Sequence, residues 1–186
     1  MRVFEIVDLD SLDEDAAAAW EFAKQKHAGQ TRSDGSPYSN HVERVAKSVE
    51  QFKASHNLDA LISAAYLHDT LEDTDTTHED LVALFGGLVA SLVKELTSDK
   101  EEIARVGKAQ YLASKMSTMS SYALVIKLAD RLDNIGDIAT AKTPEWRQKY
   151  KAETLHIMDT IERNRVLSPT HRRIIDMIRE KLAEIH

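Results

Sequence analysis

The chain has 186 residues, 42% of them hydrophobic, and carries 31 Asp and Glu against 24 Lys and Arg, a formal net charge of −7. That is enough apolar material for one ordinary domain, and the acidic balance argues against a protein that grips a nucleic-acid backbone by bulk charge. No cysteine is present, which removes disulfides and thiolate metal sites and suits a cytoplasmic setting.

Only three prolines and six glycines occur, and helical periodicity dominates the stretches between them. Met1 to Asp15 carries acids rather than a basic region before an apolar run, so it does not read as a signal peptide. Ser11-Leu12-Asp13-Glu14 fits a capping box opening a helix through Ala16–His27 that stops at Gly29. Gln30 to Asn40, with Gly35, Pro37 and Tyr38, reads as a loop. A second helix is expected from about His41 to Ser55, with Val42, Val45, Val49 and Phe52 facing inward. A third, with Leu61, Ala64, Ala65 and Leu67 buried, carries His68-Asp69-Thr70-Leu71-Glu72-Asp73 at its end.

Thr77 to Asp80 caps a short helix ending at Phe85-Gly86-Gly87, and another follows through Val93–Leu96. The stretch from about Lys100 to Met119 reads as one long helical segment, and the next helix starts near Ser121 and continues past Asp130. Thr143-Pro144 and Ser168-Pro169 each pair an N-cap residue with proline at the first helical position, opening two terminal helices. The apolar run Ala123–Ala129 contains Lys127 and is too short to span a membrane. With no repeat or linker, the pattern predicts a single all-α domain over residues 1–186, a bundle of roughly eight to ten helices.

His68, Asp69, Glu72 and Asp73 concentrate four polar groups in six positions. On a continuous helix His68 would sit over Glu72, and Asp69 over Asp73. Three carboxylates beside an imidazole repel one another and lose hydration unless a cation or donors offset them, and a divalent metal is the simplest remedy. Other positions have ordinary readings when taken singly. His41 can be a helix cap, Asp130 the partner of a core Arg, and Arg32 to Tyr38 a plain connector. Lys127, Asp130, Asn134 and Asp137 form a polar stripe opposite Val125, Leu128, Leu132 and Ile135. Such a stripe is usually just solvated, but this one begins inside an apolar run, which favours a lined cleft. Together, His41, His68, Asp69 and Asp130 offer two imidazoles and two carboxylates. That donor set suits Mn²⁺, Fe²⁺, Zn²⁺ or Mg²⁺ and leaves coordination positions open for catalysis. Phosphoester hydrolysis is a reaction such an ion serves.

The order His…His-Asp…Asp on helices resembles the HD-domain phosphohydrolase superfamily. His27-Ala28-Gly29-Gln30-Thr31-Arg32, Gly35-Ser36-Pro37-Tyr38, His41 and Val45-Ala46 are similar to the first motif of the RelA/SpoT hydrolase domain. His68 to Thr74, with Thr77, Phe85-Gly86 and Leu96-Thr97, resembles its HD motif and the helices after it, and Lys127 to Leu132 with Asn134 resembles its third motif. The resemblance covers roughly residues 16 to 160. It implies that His41, His68, Asp69 and Asp130 hold one Mn²⁺, while Glu72 and Asp73 orient and deprotonate the attacking water. It also implies that Arg32 contacts a purine, Asn134 the nucleoside, and Lys127 or Arg131 the phosphates, with Ser33 and Asp137 in the same substrate-binding pocket.

Two positions depart from the family pattern: Ser33 stands where a basic residue is usual, and Asp133 where His or an aromatic is frequent. The implied activity is Mn²⁺-dependent removal of the 3′-pyrophosphate from a guanosine tetra- or pentaphosphate alarmone. The alternatives are the same chemistry on another nucleotide, such as an adenosine alarmone, and a non-catalytic HD nucleotide-sensing module. No synthetase or regulatory region follows the motifs, so the chain resembles a stand-alone small alarmone hydrolase. Its expected partner is a small nucleotide, with neither nucleic acid nor membrane, and its oligomeric state is left open.

Overall fold

The computed structural model describes residues 9–52 and 57–185. In chain order these form α1 (Leu9–Lys26), α2 (Ser39–Phe52), α3 (Leu58–Leu67), α4 (Thr70–Asp73), α5 (His78–Leu96), α6 (Lys100–Val106), α7 (Lys108–Thr118), α8 (Ser121–Ala141), α9 (Pro144–Asn164) and α10 (Pro169–Ala183). The one β-type pairing among the described residues is an isolated bridge between Thr31 and Pro37. The architecture is all-α, a bundle of helices.

Several helix starts follow the caps written in the sequence. Thr77 and Asp80 form a capping box at α5, and the hydroxyls of Ser120, Thr143 and Ser168 accept the amides of Ala123, Trp146 and His171. Ser11 is an exception. Helix α1 is already under way at Leu9, so Ser11 lies within it and does not cap it. Helix α2 is assigned as far as Phe52, and the expected end at Ser55 lies outside the described residues.

The segment 100–119 is not one helix. Gly107 adopts φ 86 and ψ 148, a left-handed region open to glycine, so α6 ends there and α7 restarts at once. Gly86, at φ 79, breaks α5 in the same way. The stretch His78–Val106 is the one among the described residues long and apolar enough to cross a membrane. Here Gly86 interrupts it, and its Leu81, Val89, Ala90, Leu92, Val93 and Leu96 are buried in the bundle.

Helix α3 packs on α1, α2 and α5, while α8 packs on α2, α5 and α10. Helix α3 is apolar nearly all round, whereas α8 turns an apolar face inward and carries its polar stripe on the other side. Leu61, Ala64, Ala65 and Leu67 on α3 are buried, as are Val125, Leu128, Leu132 and Ile135 on α8. Truncating a leucine such as Leu128 to alanine there would cost about 2–5 kcal/mol. This packing sets the end of α3, the start of α2 and the middle of α8 against one another, and the polar residues gather at that junction.

Candidate metal centre and active-site cleft

The His-Asp pair does not sit on a continuous helix. Helix α3 ends at Leu67, His68 and Asp69 form a turn, and the single-turn α4 follows. The expected stacking of His68 over Glu72 on one continuous helix is therefore not what forms. Side chains at the break explain it: His68 Nδ1 lies 2.7 Å from the Ala65 carbonyl, and the Thr70 hydroxyl donates to the Leu67 carbonyl at 2.7 Å. They occupy carbonyls at the end of α3 that a continuing helix would have bonded through its backbone. The break also lets neighbours converge. Consecutive side chains on a helix splay by about 100°, yet His68 Nε2 and Asp69 Oδ2 are 3.0 Å apart.

His41, in the first turn of α2, enters from a second direction. Its Nε2 is 3.4 Å from Asp130 Oδ1 and 3.7 Å from Asp69 Oδ2, while His68 Nε2 is 3.9 Å from Asp130 Oδ1. Ligand atoms of His41, His68 and Asp130 all lie within 4.8 Å of one another. The structure thus brings together all four residues singled out as metal ligands, three of them buried and Asp69 half-buried.

Each of the four also has a supporting partner. Asp133 Oδ2 lies 2.7 Å from His41 Nδ1, and the Tyr38 hydroxyl donates to Asp69 Oδ2 at 2.6 Å. Asp130 accepts from Asn134 Nδ2 at 2.6 Å and has Lys127 Nζ at 3.0 Å. Burial pushes the Asp69 and Asp130 carboxyls up, but their neighbours outweigh it and hold both below the usual carboxylate range. The imidazole of His68 does this for Asp69, and Lys127 with His41 for Asp130. Burial pulls His41 down, but its hydrogen bonds to Asp130 and Asp133 win and push it up to about 9.

The donor set fits a divalent cation. Beyond the convergence of two imidazoles and two carboxylates, His68 Nε2 is a buried nitrogen with no hydrogen-bond partner. Its Nδ1 is taken by the Ala65 carbonyl, so Nε2, 3.0 Å from Asp69 Oδ2, is the ring nitrogen left to meet an ion. Mixed nitrogen and oxygen ligands without sulfur match borderline or hard divalent ions.

A cleft of about 530 Å³ opens above this cluster. Glu72 and Asp73 line one side. Glu72 accepts the Ser98 amide at 3.0 Å, whereas burial and the nearby Asp69 and Glu72 charges raise the Asp73 carboxyl. On the rim, Arg32 donates to Asp137 Oδ2 at 2.8 Å and to Asn134 Oδ1 at 2.6 Å, with its guanidinium 5.6 Å from the centre of the Tyr38 ring. Asp137 is therefore engaged with Arg32 rather than free in the cleft. Ser33 is exposed at the mouth. Lys127 and Arg131 both line the cleft, and Arg131 is fixed by a 2.7 Å bond to Thr154 and by the face of Tyr150.

Sequence reasoning missed much of the opposite wall. Trp146 stacks on Tyr150 with centroids 5.4 Å apart, Lys142 lies over Trp146, and Lys108 adds another cation at the start of α7. Trp146 and Tyr150 share an i, i+4 spacing after Thr143-Pro144, a legible signal, whereas Lys108 and Ser98 reach the cleft through helix breaks that periodicity does not reveal. The link from Asp133 to His41 joins α8 to α2, a contact that spacing along α8 alone does not reveal.

An adjacent His-Asp pair closed over by a distant His and a distant Asp is the arrangement of HD-domain proteins, and the HD-domain family model matches residues 19–166. The chain belongs to that family. Within it, the chain is similar to the guanosine-3′,5′-bis(diphosphate) 3′-pyrophosphohydrolase MESH1 of Drosophila melanogaster, 36% identical over 133 residues that cover 70% of this chain and 73% of that protein. It is 35% identical to human MESH1 over 137 residues, 73% of this chain and 75% of that one. The Aquifex aeolicus guanosine-3′,5′-bis(diphosphate) 3′-pyrophosphohydrolase is 37% identical over 77% of this chain, but the match spans only 20% of that longer protein. Among solved structures, a metazoan ortholog of SpoT that hydrolyses ppGpp superposes with a TM-score of 0.74 at 30% identity, covering 90% of this chain and 95% of that one.

Proposed function

We propose that this protein is a Mn²⁺-dependent (p)ppGpp 3′-pyrophosphohydrolase that converts the guanosine alarmones to GDP or GTP and pyrophosphate. The observation that carries the reading is the convergence of His41, His68, Asp69 and Asp130 on the floor of a cleft, with an acidic pair at its side. The relatives named for this reaction support it. The chain is read as one HD domain working in the cytoplasm on a small nucleotide.

His41, His68, Asp69 and Asp130 would hold the ion, which when bound supplies Lewis acidity for activating water and neutralising phosphate charge. Glu72 and Asp73 accept the proton of the attacking water. Glu72 is steadied by the Ser98 amide, and Asp73 has a carboxyl raised towards the range useful to a base. Water attacks the phosphorus attached to the 3′-oxygen, that P–O bond breaks, and the nucleoside keeps the oxygen. Lys127, Arg131, Lys108 and Lys142 offset charge on the phosphate oxygens. Arg32, held flat by Asp137 and Asn134 over Tyr38, offers a guanidinium face to the purine.

The test is release of pyrophosphate from ppGpp with Mn²⁺ and with chelator, alongside adenosine 3′-pyrophosphates and simple nucleoside phosphates. Turnover of ppGpp that requires Mn²⁺ is expected. Turnover confined to an adenosine alarmone would move the substrate, and nucleotide binding without any turnover would make the protein a sensor.

A further inference from the structure

His41 and His68 aim at the same point but are oriented by different means. His68 Nδ1 uses the Ala65 carbonyl of its own helix. His41 relies on α8, where Asp133 Oδ2 lies 2.7 Å from its Nδ1. Asp133 is itself gripped by a fork: Arg44 donates from Nε to Oδ1 at 2.6 Å and from a terminal nitrogen to Oδ2 at 3.0 Å. That same terminal nitrogen reaches Asp137 Oδ1 at 3.4 Å. The Asp133 side chain is 10% exposed. Both its oxygens are engaged within the protein, and it is absent from the cleft lining.

We propose that Asp133, fixed in plane by Arg44, is a positioning residue that orients His41 towards the cation site. The inference rests on the metal-centre reading above. An acceptor at Nδ1 selects the tautomer whose Nε2 lone pair is free for an ion, fixes the ring's rotation, and raises the basicity of the ligand. Without Arg44, the Asp133 carboxylate would be free to rotate away from His41 Nδ1. A two-point guanidinium fork removes that freedom. Neither residue touches the substrate or the reacting atoms.

Calorimetric titration of Mn²⁺ into the intact protein tests this. Asp69→Ala, which removes a proposed ligand, serves as the control. Asp133→Ala is expected to weaken Mn²⁺ binding by about 10- to 100-fold, the scale found when such supporting groups are removed. Asp133→Asn keeps an acceptor and should weaken it less, a partial rescue that a purely structural role would not show. Arg44→Ala should weaken it by several-fold, and adding it to Asp133→Ala should cost almost nothing further, because Arg44 acts through Asp133. If Asp133→Ala does not fold, Asp133→Asn and Arg44→Ala decide. Mn²⁺ affinity unchanged in the folded variants, with Asp69→Ala losing the ion, overturns the positioning role and leaves the metal centre intact. Failure of the wild-type protein to take up Mn²⁺ overturns the metal-centre reading, and the positioning role with it.

Discussion

At the floor of the cleft His41, His68 and Asp130 are buried, and each is held by a partner within the protein. At the rim Ser33, Lys108 and Trp146 stand exposed, while Arg32 is pinned by Asp137 and Asn134. The floor is built from the packing of α2, α3 and α8, so its geometry comes with the fold. The rim is built from a loop and helix ends, where side chains are less enclosed. Preorganised groups aimed at developing charge govern rate, while adjustable contacts away from it govern affinity. Substitutions should divide along that line.

The largest effect belongs to the floor. Asp69→Ala is expected to abolish Mn²⁺ binding and hydrolysis together, and persistence of either one alone would separate the ion from the chemistry. Next come Glu72→Gln and Asp73→Asn, each lowering turnover by about 10²-fold with Mn²⁺ and nucleotide binding kept. Lost ion affinity in these two would make them ligands and move the boundary of the floor.

The metal-free floor also has a pH signature. His41 is raised from an ordinary 6.5 to about 9, so the stability its charged form contributes is complete below pH 6.5 and is lost as the pH rises through about 9. The melting temperature in chelator should therefore fall across that window, and saturating Mn²⁺ should flatten the slope, because a ligating imidazole carries no proton there. A melting temperature that rises between those values in chelator would contradict the protonated His41.

On the rim, Arg32→Ala should raise the Michaelis constant for ppGpp by about tenfold with turnover nearly unchanged, the mark of uniform binding. The smallest effect is expected from Ser33→Lys, which adds a charge-assisted contact at the mouth and should lower that constant a few-fold. A change in turnover from either variant would mean that the rim takes part in the chemical step.

The fold was legible wherever apolar spacing and caps agreed, as at Val125, Leu128, Leu132 and Ile135 or at Thr143-Pro144. It was misread where a break depends on backbone conformation, at Gly107, or on side chains occupying carbonyls, at His68 and Thr70. The floor of the site was legible because its residue types are rare in apolar surroundings and fall in a recognisable order. The aromatic wall and Lys108 were not, since ordinary helix surfaces carry the same residues. Asp133 drew notice as a departure, but its grip on His41 depends on the contact of α2 with α8, which no local pattern encodes.

The run from His41 through Asp133, Arg44 and Asp137 to Arg32 is an unbroken chain of polar contacts between the proposed ion site and the proposed base contact. A purine that draws Arg32 away from Asp137 leaves that carboxylate to compete with Asp133 for Arg44. The two sites then share a coupling free energy, and such coupling is reciprocal. Whatever factor a bound guanine nucleotide imposes on Mn²⁺ affinity, Mn²⁺ must impose on the nucleotide. Titrating Mn²⁺ with and without saturating GDP reads that factor. In Asp137→Asn, whose amide holds Arg44 and Arg32 less firmly, it should shrink towards one.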